Sequence, residues 1–187
     1  ENMVKKICHS DIQGVVVSVS NTFVDDRGYF YRAYCENELA EIIGDRKICQ
    51  INISNTKRKG SIRGMHYQLP PDHEIKLVRC IKGKVWDVVV DLREGSSTFL
   101  EWFSAELDSE KKQMIIVPEG CAHGFQALED DSELLYLHTA FYSANNEKGL
   151  RYDDPLIDIK WPLTANCIAD RDKNHPLLED TFTGYKI

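Results

Sequence analysis

Residues 61–80, "SIRGMHYQLPPDHEIKLVRC", place Arg63, His66, Gln68, Lys76 and Arg79 in two strand-like runs around a turn with two prolines. Strand side chains alternate between two faces, so some of these polar groups can simply be turned to water. The other reading is that both runs line a polar cavity. There, an imidazole that titrates near neutrality beside an ammonium and a guanidinium could move a proton and hold a negative oxygen. Arg63 and His66 are three residues apart, so a regular strand sends them to opposite faces. Gly64 lies between them, and a β-bulge at that point would bring both side chains to one cavity.

The elements that must position these groups read as strands. Runs at 14–20, 28–34, 48–54, 61–69, 75–81, 84–92, 98–107, 113–118, 123–128 and 132–142 are rich in β-branched and aromatic residues, with turn residues between them. A helix is expected over 36–43, with Leu39, Ile42 and Ile43 on one face and Gly44 as its stop, and a short one near 164–170. About ten short strands spaced roughly ten residues apart predict an all-β sandwich or barrel in one domain over 1–187. Helices do not alternate with the strands, which disfavours a parallel α/β sheet. Strand parity groups Val85, Asp87, Val89 and Asp91 on one face, with Trp86, Val88, Val90 and Leu92 on the other. Lys76, Val78 and Cys80 fall together; so do His123, Phe125 and Ala127, and Leu134, Tyr136, His138 and Ala140. A barrel interior built from these faces is apolar at one end and polar at the other, the profile of a binding cavity.

The formal net charge of -7 argues against nucleic-acid binding, while a few local arginines suffice for a small phosphorylated ligand. No apolar run approaches the roughly 20 residues that span a bilayer. The opening "ENMVKKICHS" lacks the apolar core of an export signal, so a cytoplasmic location and no membrane association are expected. Six scattered cysteines without a CxxC pair read as free, buried thiols.

"PEGCAHGF" (118–125) and "GMHYQ" (64–68) are similar to the two signatures of cupin β-barrels. Gln68 stands where a metal-binding cupin has a histidine, and glutamine is a poor transition-metal ligand. His73 and Glu74 sit in the turn, where they need not face inward. No metal and no cofactor are therefore expected. In order along the chain, "DDRGYF", "RGMHYQ", "KLVRC", "VWDVVVDLR", "VPEGCAHGF", "LLY" and "YDDPLIDIKWP" resemble the dTDP-4-dehydrorhamnose 3,5-epimerase family over roughly residues 12–178. The resemblance implies a metal-free cupin jelly roll that forms a homodimer by exchanging N-terminal β-structure. It implies epimerisation beside the 4-keto group of a nucleotide-linked 6-deoxysugar, dTDP-linked by preference, in rhamnose-type deoxysugar biosynthesis. The family's base falls on His66, its acid partner on Asp172 in a C-terminal extension (163–187), the enolate-stabilising lysine on Lys76 and the opposite-face donor on Tyr136. Arg63, His123, Asp87 and Gln68 fall on further active-site positions. Arg27, Phe30 and Asn52 match nucleotide-sugar-binding positions, some contributed across the dimer.

These residue types suit that chemistry. A C–H beside a ketone is acidic because an enolate can form; histidine can remove the proton near neutral pH, and a carboxylate on its far nitrogen fixes the tautomer. Inversion needs a proton returned from the opposite face, hence a second donor. The bland alternatives are a structural histidine, a core tyrosine, a snorkelling lysine, a solvated Asp172, and packing roles for His123, Asp87 and His138. Competing functions are C3-only epimerisation, a metal-dependent cupin enzyme and a noncatalytic sugar-binding barrel. Two positions depart from the family pattern: Arg32, near the expected nucleobase site, where an acid is frequent, and Leu137, where lysine is frequent and parity points outward.

Overall fold

Alternating apolar residues and short turns produce thirteen strands and two helices in a computed structural model that describes residues 3–187. The strands are β1 (Val4–His9), β2 (Val16–Ser20), β3 (Thr22–Asp25), β4 (Gly28–Tyr31), β5 (Gln50–Thr56), β6 (Ile62–Gln68), β7 (Lys76–Lys82), β8 (Lys84–Asp91), β9 (Trp102–Asp108), β10 (Gln113–Val117), β11 (Cys121–Ala127), β12 (Ser132–His138) and β13 (Glu147–Gly149); the helices are α1 (Glu36–Ile43) and α2 (Asp170–Lys173). One sheet runs β1-β2-β10-β7-β12-β5, a second runs β13-β6-β11-β8-β9, and β3-β4 form a separate hairpin. The two sheets make a cupin-like jelly roll. The expected α1 is present with the expected ends. The second helix begins at Asp170 rather than near 164 and makes a single turn. The run at 98–107 becomes strand only from Trp102; the preceding turn is held by Thr98, whose hydroxyl donates to Asp91 at 2.7 Å.

Three apolar layers hold this arrangement. Val17, Val78, Val85, Val89, Leu107, Ile115, Phe125 and Leu134 fill the barrel between the sheets. Leu39 and Ile43 of α1 cover Leu77, Met114, Ile116 and Leu137 behind the six-stranded sheet. Leu137 therefore faces away from the interior, as parity requires, but is buried under α1. Val88, Val90 and Leu92 pack outside the five-stranded sheet with Leu150, Ile157 and Ile159. Among the described residues the six cysteines form no disulfide. Only Cys80 and Cys121 are buried; Cys8, Cys49 and Cys167 are exposed, contrary to the expectation of buried thiols throughout. Among the described residues no helix is long and apolar enough to cross a membrane.

The bulge expected at Gly64 is present. Against β11, His66 pairs with His123 and Arg63 with Phe125, so three steps of β6 face two of β11. Gly64 has φ +120°, and a Cβ there would lie 2.7 Å from Gly124 Cα and 2.9 Å from the His123 carbonyl oxygen. Neither neighbour can yield, since both are backbone inside a sheet. Gly64→Ala should destabilise the fold by about 2–3 kcal/mol, read as a lowered denaturant midpoint; an unchanged midpoint would contradict this packing.

Candidate active site

The polar end of the barrel is a cavity of about 530 Å³, within the range of small-molecule sites. Its lining includes Arg63, His66, Lys76, His123 and Tyr136. The two sheets contribute opposite walls: β6 and β11 carry His66 and His123, whereas β7 and β12 carry Lys76 and Tyr136. The ring centroids of His123 and Tyr136 meet edge to face across the gap at 6.3 Å.

His66 Nε2 lies 2.7 Å from Asp172 Oδ1. An ionised carboxylate only accepts, so Nε2 carries the hydrogen and the neutral ring has Nδ1 free as a base. The Gly64 amide donates to the other oxygen, Oδ2, at 3.1 Å. Burial raises the proton affinity of Asp172. The hydrogen bonds from His66 and Gly64 outweigh that and hold its carboxyl below the usual range. Asp172 reaches this position because the C-terminal segment is stapled down. The Ile62 amide donates to the Cys167 carbonyl at 3.0 Å, and buried Asp154 accepts from the Leu156 and Leu178 amides at 2.9 and 2.7 Å. Arg171 pairs with Glu147 of β13.

On the facing wall, Tyr136 shares a 3.0 Å hydrogen bond with Ser54, and burial pushes its phenol up to about 12, so it is a protonated donor at neutral pH. Burial lowers the proton affinity of Lys76, against the pull of Glu74, Asp87 and Glu147. Lys76 makes no ion pair within 4 Å among the described residues, which leaves its ammonium available to a ligand oxygen. His123 Nε2 pairs with Asp87 at 2.7 Å, and both are buried. Burial pushes the Asp87 carboxyl up and the His123 imidazole down, each against the opposing pull of the other.

Other expected residues are placed as follows. Arg63 lines the cavity and is aimed by bonds to Thr56 Oγ1 (3.0 Å) and the Asn55 carbonyl (2.7 Å). Asn52 also lines it, 3.2 Å from His138 Nε2. Gln68 borders the cavity, but its amide is spent on backbone: it donates to the Asp72 and Phe141 carbonyls and accepts from the Ser143 amide. Arg27 and Phe30 lie outside the cavity, on the exposed β3–β4 hairpin, where Arg27 pairs with Asp25 at 2.5 Å. Arg32 is likewise turned to Glu38 of α1.

Three neighbours were not foreseen as site residues. Glu74 does face inward and pairs with His138 Nδ1 at 3.0 Å, because Gln68 ties down the turn that carries it. His175 bonds Asp172, and Glu147 joins the lining. Glu74 and Glu147 pair with segments far apart in the chain; His175 stands three residues after Asp172 in a polar stretch without apolar periodicity. Among the described residues, His66, Asp172 and His175 bring three ligand-type atoms within 4.8 Å of one another. Those atoms are already committed to mutual hydrogen bonds, as His123 is to Asp87, so the donor set fits proton transfer better than a metal.

The site is the cavity of a cupin-type jelly roll, with an imidazole on one wall and a phenol and an ammonium on the other. The chain belongs to the dTDP-4-dehydrorhamnose 3,5-epimerase family, whose model matches residues 9–180. It is 38% identical to the dTDP-4-dehydrorhamnose 3,5-epimerase of Shigella flexneri over 169 residues, covering 90% of this chain and 93% of that one. It superposes with a TM-score of 0.90 and 31% identity on a Legionella pneumophila dTDP-6-deoxy-D-glucose-3,5-epimerase in complex with dTDP-4-keto-L-rhamnose, covering 98% of each chain. A 3'-monoepimerase from Streptomyces bikiniensis in complex with dTDP-quinovose gives a TM-score of 0.83 at 29% identity, covering 90% of this chain and 85% of that one.

The lowered proton affinity of Asp172 has a consequence for stability. Its contribution is present above the unfolded value, about pH 4, and is lost as pH falls through the lower folded value. Denaturant unfolding at a series of pH values should show the wild type losing more stability than Asp172→Asn between about pH 5 and pH 2. Parallel curves would mean the carboxylate is not held ionised.

Proposed function

We propose that this protein epimerises C3 and C5 of a dTDP-linked 4-keto-6-deoxyhexose in rhamnose-type deoxysugar biosynthesis. The observation that carries the reading is the placement of His66 and Tyr136 on opposite walls of one cavity. His66 Nδ1 takes the proton from the carbon beside the ketone, and the imidazolium is stabilised by Asp172. The C–H electron pair becomes the enolate, and its negative O4 is met by Lys76, with Arg63 assisting. Tyr136 gives its phenolic proton to the opposite face of that carbon and the ketone re-forms; solvent then reprotonates the phenolate and takes the proton from the His66 imidazolium. His123, held by Asp87, and Asn52 orient the sugar. Membership of the family and the dTDP-sugar complexes of its relatives support this substrate class.

The same reading makes the active form a cytoplasmic homodimer. Phe23, Tyr29 and Phe30 of the hairpin are 58%, 65% and 65% exposed, and Ile51 and Ile53 of the edge strand β5 are 59% and 64% exposed. A single chain leaves this apolar surface uncovered. In the dimer, Arg27 and Phe30 reach the partner's cavity and meet the nucleotide.

The test is proton exchange in D₂O with dTDP-4-keto-6-deoxyglucose, followed by NMR. Deuterium should enter at C3 and C5. His66→Ala should abolish exchange, Tyr136→Phe should permit exchange without inversion, and Lys76→Met should lower kcat by about 10²–10³. Deuterium at C3 alone would reassign the enzyme as a monoepimerase. No exchange with dTDP-, UDP- or GDP-linked substrates would remove the reading altogether. Sedimentation as a monomer at assay concentration would remove the dimer.

A further inference from the structure

The Asp172 carboxylate has two imidazole partners. Oδ1 accepts from His66 at 2.7 Å and stands 3.2 Å from His175 Nε2. The two rings are edge to face, with centroids 5.8 Å apart. His175 is seated rather than swinging free: its side chain is only 11% exposed, and its ring fills the space over Gly149, where a Cβ would come within 2.0 Å of Cε1. Gly149 in turn is the strand partner of His66, so the same three-residue strand that flanks the base also makes room for the second histidine. Burial lowers the proton affinity of His175, which keeps it neutral and makes Nε2–H a donor to the carboxylate.

We infer that His175 is a positioning residue that tunes the base: by sharing Asp172 Oδ1, it limits how tightly the carboxylate holds a proton on His66. This inference rests on His66 being the proton-abstracting group. A carboxylate that accepts one bond fewer is a stronger acceptor for the remaining partner, and an imidazolium beside it is correspondingly favoured. Without His175, more of His66 is protonated at a given pH and less is available as base. The other charged or titratable groups around the pair are Glu147 of β13, Arg171 of α2 and His123 of β11. All of them are retained in the variants below.

His175→Phe keeps a ring over Gly149 and removes the donor; His175→Gln replaces the ring but keeps a donor. The titration of His66 is followed by histidine NMR on the full-length protein without substrate, and the kcat/KM profile is measured beside it. In His175→Phe the His66 titration should move to higher pH. On the acid limb kcat/KM should fall by about three- to tenfold, the size expected for one hydrogen bond, while rates on the alkaline plateau stay close to wild type. His175→Gln should restore both toward wild type. An unmoved His66 titration in His175→Phe would overturn the inference, as would equal displacement in Phe and Gln variants, since packing alone would then be responsible. The NMR arm needs no turnover, so a failed epimerase assay and a failed tuning role give different results.

Discussion

The contact between Asp172 and the β6 bulge is the constraint on which the site depends. One carboxylate binds the His66 ring through Oδ1 and the Gly64 amide through Oδ2. It therefore fixes the imidazole relative to the backbone that carries it, and not merely its tautomer. The arrangement needs Gly64 for the bulge and a buried anchor for the chain that brings Asp172 in. The anchor is Asp154, which binds amides on both sides of that problem, at Leu156 and at Leu178. Residues far beyond the last long strand are thus part of the site's geometry, and α2, though one turn long, is held by pairing with β13 rather than by its own helical stability.

A two-sided proton transfer also requires walls that keep their separation. The apolar layer between the sheets supplies this, with Val78, Val85, Val89, Phe125 and Leu134 packed below the polar end. Because side chains alternate, the strands that place Lys76 and Tyr136 in the cavity send Leu77 and Leu137 to the layer beneath α1. The helix thus buttresses the wall carrying Tyr136, while the C-terminal segment buttresses the wall carrying His66. Each half of the chemistry has its own support.

Much of this was legible in the sequence where periodicity is strong. The alternation in 84–92 separates Val85, Asp87 and Val89 from Trp86, Val88 and Val90, and the structure puts these sets on opposite sides of one sheet. The parity conflict between Arg63 and His66 pointed to a bulge because only a glycine stood between the strand and an irregular register. Short or polar elements were not legible. β13 is Glu-Lys-Gly, without a β-branched residue, and becomes a strand only because β6 offers it hydrogen bonds. α2 carries no apolar periodicity and was expected several residues early. Glu74 owes its position to a long-range pairing with His138 and His175 to its packing over Gly149, which no local spacing encodes. Arg27 and Phe30 carried family signatures yet lie outside the cavity of their own chain, since a motif marks a residue type without saying which wall it faces.

The site holds two histidine–carboxylate pairs of equal length, and burial decides what each can do. His123 and Asp87 meet at 2.7 Å, as do His66 and Asp172. His123 is 4% exposed and Asp87 is fully buried, so neither carries charge cheaply. A histidine in that state can hydrogen-bond a ligand but is a poor acceptor of a further proton, because the resulting cation has no solvent. His66 retains 32% exposure toward the cavity, and Asp172 is held ionised by three donors. Its imidazolium is therefore stabilised by a full negative charge and by residual water. The two pairings thus differ in their surroundings: His123 and Asp87 are closed off together, whereas His66 opens to the cavity and its buried partner Asp172 accepts from further donors.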